Sequence, residues 1–188
     1  TREQLIKKDI DINYQDVNGN NSIFNAISSY DEYAIVNINI KNNMGQTPLI
    51  LASLLGQKKI IELLIENGSD VNEKDCTGKS AIHYAVLNKD SDIIKSLISA
   101  KANIDAYDNE FRTPLVLLIS SGDINIQNTA SLLIENKADV NMADKKGKTS
   151  LHYAAMVGDI NLLKILIGDF TILDKKDKKP TSYILERF

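Results

Sequence analysis

The chain has 188 residues, a hydrophobic fraction of 43% and a net charge of −3, so it can bury a substantial core and carries no general pull toward nucleic acid. With no Trp and 6% aromatics, that core must rest on Ile, Leu, Val and Ala. The lone Cys76 cannot form an internal disulfide, and apolar runs such as 49–55 are too short to span a bilayer.

No basic, apolar and cleavable leader marks the start for secretion. The chain begins at Thr1 rather than Met and is expected to be a trimmed or excised piece. Laid against itself, it repeats. Gly45-Gln46-Thr47-Pro48-Leu49 returns as Gly78-Lys79-Ser80-Ala81-Ile82 after 33 positions, and as Phe111-Arg112-Thr113-Pro114-Leu115 after 33 more. Gly147-Lys148-Thr149-Ser150-Leu151-His152 follows after 36. A second marker keeps the phase: Asp70-Val71-Asn72, Asn103-Ile104-Asp105 and Asp139-Val140-Asn141, with echoes at Asp11-Ile12-Asn13 and Asn37-Ile38-Asn39.

In chain order, residues 2–9 align with 61–68, so 1–12 are expected to hold an outer helix without its inner partner. Residues 13–38 form a shortened repeat. From Ala26 to Asn39 is 13 positions, whereas Ala52 to Asn72 is 20, so seven residues, about two turns at ~3.6 residues per turn, are missing. Full repeats follow at 39–71 and 72–104. The repeat at 105–140 carries three extra residues near Ile124-Asn125-Ile126, placed in the loop between its helices. Another occupies 141–173, and 174–188 begin a further repeat or cap. Thr47, Ser80, Thr113 and Thr149 are first-helix caps, with Pro48 and Pro114 in the first turn. Gly56 and Gly158 stop that helix, and Asp75-Cys76-Thr77-Gly78 and Asp144-Lys145-Lys146-Gly147 are turns. Ala52, Ala85 and Ala154 are small because neighbouring helices approach there. A single pair cannot bury both its faces, so stacking is obligatory.

These markers resemble the ankyrin repeat family, whose unit reads as a turn with Asp and Gly, then Thr-Pro-Leu-His, a second helix and Ala-Asp-Val-Asn. The likeness covers essentially the whole chain, with 147–155 the nearest copy. It implies an all-α ankyrin-repeat solenoid of stacked antiparallel helix pairs with projecting β-hairpin loops. It also implies binding of another protein through the hairpin tips and the concave face of the inner helices. Carried over repeat by repeat, that surface comprises Lys41, Asn43, Met44, Gln46, Leu54 and Leu55, then Lys74, Cys76, Lys79, Leu87 and Asn88. Tyr107, Asn109, Glu110, Arg112, Lys145, Lys146, Lys148, Met156 and Val157 complete it. Leu54, Leu55, Leu87, Met156 and Val157 are the informative members, because the fold does not need apolar residues there. The alternative is that they pack beneath adjoining loops.

No catalytic, cofactor or metal residues are assigned. His83 and His152 occupy equivalent positions two repeats apart, so they cannot share one site; each is read as tying a helix start to its hairpin. Asn13, Asn72 and Asn141 resemble the pattern that asparagine hydroxylases modify in ankyrin repeats, against the plainer reading that Asn holds the turn. Cys76 is expected at an exposed tip, without a resolving partner. Lysines crowd the last two hairpins, giving +3 over 141–188 against −6 over 1–140. That asymmetry could guide a partner with an acidic segment, or be merely a solvated face. Nucleic acid is the lesser reading, because the basic tips lack interleaved aromatics. A non-catalytic adaptor in the cytosol or nucleus, monomeric by itself and without membrane insertion, is the leading expectation. The alternatives are a regulatory or targeting segment of a larger enzyme, channel or effector, and an acidic-polymer binder. The short repeat has little outer-helix surface to bury, so hydrogen exchange should be faster in 1–38 than in 72–104.

Overall fold

The computed structural model describes residues 18, 38–123, 125–166 and 171–185. The helix expected in 1–12, the shortened helix pair of 13–38 and the exchange contrast drawn from it lie outside the described residues. Four helix pairs follow one another: α1 Pro48–Leu54 with α2 Lys58–Glu66, then α3 Ala81–Asn88 with α4 Ser91–Ser99. Next come α5 Pro114–Ser120 with α6 Gln127–Glu135, and α7 Ser150–Val157 with α8 Ile160–Ile165. A ninth helix, α9 Pro180–Leu185, packs against α7. The odd-numbered helices form one row, α1 on α3 on α5 on α7 on α9, and each even-numbered helix packs behind its own partner. This is the all-α solenoid of helix pairs. Among the described residues no β-strand forms, and the projecting hairpins are tight turns.

The outer helices bury the stripe that their sequence offers. Ile60, Ile61 and Leu64 on α2 and Ile93, Ile94 and Leu97 on α4 stand one and four positions apart, on one helical face, and are fully covered. Ala52, Ala85 and Ala154 are fully buried on the inner row, and Leu118 fills the same register in α5. Each such Leu or Ile side chain contributes about 1.5–3 kcal/mol by leaving water. The loop joining α5 to α6 spans residues 121–126, longer than the 55–57 link of the first pair, and Asn125 takes a left-handed φ of 59° within it.

Each tip is organised by one side-chain oxygen. Oδ1 of Asp75 accepts from the backbone N–H groups of Thr77 and Lys79 at 2.8 and 3.1 Å. Asp108, Asp144 and Asp174 do the same toward the residues two and four positions on, and Asn42 substitutes an amide oxygen in the first tip. The acceptor's second polar atom is satisfied in one of two ways. Where the residue nine positions on is Tyr, its hydroxyl donates: Tyr84 to Asp75, Tyr153 to Asp144 at 2.5 Å, and Tyr183 to Asp174 at 2.5 Å. Where that residue is Leu, the residue four positions on takes over. Arg112 grips Asp108 through two nitrogens at 2.9 and 2.7 Å opposite Leu117. In the first tip Gln46 Oε1 accepts from Asn42 Nδ2 at 3.0 Å opposite Leu51.

Neighbouring tips are joined by single backbone bonds: Asn43 to Asn18, Cys76 to Met44, Asn109 to Thr77, Lys145 to Glu110 and Lys175 to Lys146, each 2.9–3.0 Å. Asn72 adds a side-chain tie, accepting from Asn103 N–H at 2.7 Å and donating to Lys101 O at 3.2 Å. Asn72 thus ties its turn to the next repeat, and Asn13 lies outside the described residues.

Replacing Tyr84 or Tyr153 with Phe is expected to lower unfolding stability by about 1.5–3 kcal/mol each, because a buried carboxylate loses a donor. Urea titration reads this directly, and an unchanged midpoint in both variants would show that water replaces the hydroxyl.

Candidate functional site

Most of the expected binding residues stand on two features: the tips, and the C-terminal ends of the inner helices beside them. Lys41, Asn43, Met44, Lys74, Cys76, Tyr107, Asn109, Glu110, Lys145 and Lys146 are exposed on the tips. Several also link one tip to the next. Lys41 reaches Lys74 O at 3.1 Å and Glu73 at 2.7 Å, Lys74 reaches Tyr107 O at 2.6 Å, and Asn109 donates to Cys76 O at 2.9 Å. Leu54, Leu55, Met156 and Val157 are all exposed at helix ends.

Two assignments need correction, and three more residues are only partly exposed. Gln46 is 4% exposed and Lys148 8%, so neither presents its side chain to a partner. Both sit four residues after a turn acceptor, where the side chain folds inward. Gln46 meets Asn42, while Lys148 donates to Tyr183 Oη at 2.7 Å and lies 3.5 Å from Asp174 and 4.0 Å from the Tyr183 ring centre. Arg112 is committed to Asp108 and half-buried. Lys79 is likewise half-buried, with Nζ 6.0 Å from the Tyr84 ring. Leu87 is half-buried too, and its neighbour Asn88 spends its amide on Ser53 O and Leu54 O at 2.8 and 2.9 Å. The apolar helix ends are therefore not one stripe. Leu54 and Leu55 are separated from Met156 and Val157 by Leu87, Asn88, Ser120 and Ser121.

Phe111, Ile160, Leu173 and Leu185 are exposed apolar residues outside the expected surface. Phe111 occupies the turn position that Gly45, Gly78 and Gly147 hold in sister tips, and it is 53% exposed. The missing glycine in Phe111-Arg112-Thr113-Pro114 was the signal. Phe111 meets Tyr107 edge-on at 6.0 Å, and Lys145 Nζ lies 5.7 Å from its ring centre. Aromatics therefore do adjoin the basic tips. Beside them Lys145, Lys146, Lys148, Lys175 and Lys176 surround a cleft of about 590 Å³ floored by Tyr153, Met156 and Asp174.

The histidines are helix caps. Ser80 N–H donates to His83 Nδ1 at 3.1 Å and Thr149 N–H to His152 Nδ1 at 3.1 Å, closing capping boxes on α3 and α7. With Nδ1 accepting, Nε2 carries the proton and faces the next tip, Arg112 O at 3.4 Å or Lys178 O at 3.1 Å. Helices α1 and α5 have no His and instead use Thr47 and Thr113 followed by Pro. Burial pushes His83 down to about 4 against the opposing pull of the Arg112 carbonyl, and lowers His152 in the same way. Burial alone would raise the carboxyls of Asp75, Asp108 and Asp174. The donors around them outweigh it and hold all three below the usual range. Burial and the Asp75 carboxylate push the Tyr84 hydroxyl up to about 12. Among the described residues no three His, Cys, Asp or Glu side chains group to hold a metal, and no helix is long and apolar enough to cross a membrane.

A family profile described as ankyrin repeats in three copies matches residues 2–75 and 82–178. An ankyrin repeat protein of Fowlpox virus (strain NVSL), FPV223, is 32% identical over 133 residues, 70% of this chain and 91% of that protein. A second from the same virus, FPV031, is 29% identical over 176 residues, 90% of this chain but 44% of its own length. The neurogenic locus notch homolog protein 1 of Xenopus laevis is 30% identical over 149 residues, 78% of this chain and 6% of that protein. The chain thus spans most of one relative and only part of the other two.

The buried histidines fix a pH dependence. His83 titrates near 6.5 unfolded and at about 4 folded, so between those values only the unfolded chain takes the proton. Stability is complete above pH 6.5 and falls toward pH 4, by about 3 kcal/mol for this group. The aspartates, lowered from 3.8, act in the same direction at more acidic pH. A His83→Gln variant, which keeps an acceptor for Ser80 N–H, should flatten the fall of the urea midpoint between pH 6.5 and 4. An identical slope in both proteins would refute the assignment.

Proposed function

This chain belongs to the ankyrin repeat family, and from that premise we propose that it is a non-catalytic module that binds a partner protein on its tips and adjoining inner-helix ends. The observation that carries the reading is where apolar side chains meet water. Met44, Tyr107, Phe111 and Leu173 do so on tips, and Leu54, Leu55, Met156 and Val157 at inner-helix ends, with Ile160 and Leu185 elsewhere. The exposed face of the outer helices presents Lys58, Lys59, Glu66, Asp92, Lys95, Asn128 and Glu135 instead, with Ile160 at the start of α8 the apolar exception. Exposed apolar groups rimmed by polar ones mark surfaces that associate. The module works by contact rather than chemistry: its two histidines, the natural general bases, are engaged as caps.

A single cysteine suits a reducing compartment, the cytosol or nucleus. We take the chain as monomeric by itself. A second reading, that it is the binding segment of a longer protein, is supported by the Notch relative, in which the matched stretch is a small part of the whole.

A partner captured from the native source by affinity purification and identified by mass spectrometry supplies the ligand for titration. Leu54→Asp or Met156→Asp is expected to weaken binding at least 10-fold, with stability changed by no more than ~0.5 kcal/mol as is usual at exposed sites. Lys145→Glu should chiefly slow association and reduce its salt dependence. Glu62→Lys on α2 serves as the control. If that control alone blocks binding, the partner uses the opposite face.

A further inference from the structure

The tip at 107–112 departs from its sisters in a way that its fold does not require. At the equivalent position Gly45, Gly78 and Gly147 take φ of 71°, 79° and 75°. A Cβ added there would come within 2.9 Å of Cys76 N, 2.6 Å of Asn109 N and 3.0 Å of Lys175 N, in the next tip. Phe111 takes the position at φ 59°, and a bulky side chain is poorly suited to that left-handed conformation. Asp177 takes the same position in the last tip at φ 55°, and it is polar, as are Lys89, Lys101, Asn125 and Lys137, the other side-chain-bearing residues with positive φ among the described residues. Phe111 gains little burial in return. The ring strains the backbone and stands in solvent.

What surrounds it is a recognition geometry. Tyr107 and Phe111 meet edge to face at 6.0 Å, with Lys74 Nζ 5.8 Å from the first ring centre and Lys145 Nζ 5.7 Å from the second. Two apolar ring faces are thus flanked by two ammonium groups, and the cleft holding Lys146, Lys175 and Lys176 continues from Lys145. We propose that the Tyr107–Phe111 pair anchors an acidic segment of the partner protein. An apolar side chain rests on the rings, and carboxylates on either side meet Lys74, Lys145 and the lysines of the cleft. This rests on the protein-binding reading above and specifies the chemistry of what is bound. A nucleic acid could also stack on these rings, but Glu110 stands 3.5 Å from Lys145 in the same path. A strand carries phosphate at every step, whereas a polypeptide can place a neutral residue opposite that carboxylate.

The test uses random peptides displayed on phage, selected on the whole 188-residue chain and then titrated against variants. The enriched peptides should carry Asp or Glu on both sides of an aromatic or aliphatic residue. Phe111→Gly should weaken them at least 10-fold while the melting temperature stays level or rises, because Gly suits the turn. Phe111→Asn, which also tolerates the left-handed region, should behave alike. Lys74→Glu combined with Lys145→Glu should weaken binding and flatten its salt dependence. The inference is overturned by a library that yields no acidic consensus, by peptides that ignore Phe111→Gly, or by melting temperatures that fall in both Phe111 variants. Tighter binding of poly(dT), lost in Phe111→Gly, would also overturn it in favour of nucleic acid. Peptides lost on Leu54→Asp or Met156→Asp but kept on Phe111→Gly would overturn the anchor alone and leave protein binding by the groove intact.

Discussion

The turn acceptor at the head of each tip is the constraint on which the rest of this structure depends. Asn42, Asp75, Asp108, Asp144 and Asp174 each collect two backbone N–H groups, which bends the chain back toward the inner helix. That bend sets where the cap residue falls, and hence where α1, α3, α5 and α7 begin. It also aims the tip at its neighbour. A buried carboxylate with an unmet oxygen is costly, so the second oxygen must be answered, and the chain answers it from whichever of two positions is free.

That rule explains both what could be read from residues alone and what could not. The repeats, the Thr and Ser caps and the αL glycine after α7 depend on neighbours within a few positions and were visible in the order of residues. So was the histidine role, since His83 and His152 fall at the third helical residue after a cap. Gln46 misled because its side chain folds back onto Asn42 in the same turn, and Lys148 because a polar residue on a turn looks solvent-bound until its partner is found in another element. The partner of Lys148, Tyr183, lies 35 positions away. A trace did exist within this one chain. Lys at the fourth place after the acceptor accompanies Tyr at the ninth in 79 with 84, 148 with 153 and 178 with 183, whereas Gln46 and Arg112 accompany Leu51 and Leu117. The apolar helix ends misled for a simpler reason. Exposure there depends on side chains from the adjacent repeat, and Asn88, Ser120 and Ser121 interrupt what first looked like one groove.

Electrostatics divides the molecule similarly. The ion pairs and carboxylates that shape the tips are inward and satisfied, as with Arg112 on Asp108 and Lys148 near Asp174. The lysines left facing outward, Lys145, Lys146, Lys175 and Lys176, crowd the C-terminal end of the described array. Structural charge and recognition charge thus sit within a few residues of one another in the same turns. A substitution at Lys145 and one at Lys148 belong to different experiments, the first about association and the second about folding.

The single backbone bonds between tips carry a consequence for the whole array. Each joins one repeat only to the next, from Asn18–Asn43 through Lys146–Lys175, so the bonds lie in series along the array. The side-chain ties of Lys41, Lys74 and Asn109 run beside these bonds at the same junctions, and the inner helices of adjacent repeats pack across them. Each repeat is thus held by its neighbours alone, so a change at one junction reaches a distant repeat only through every repeat between them.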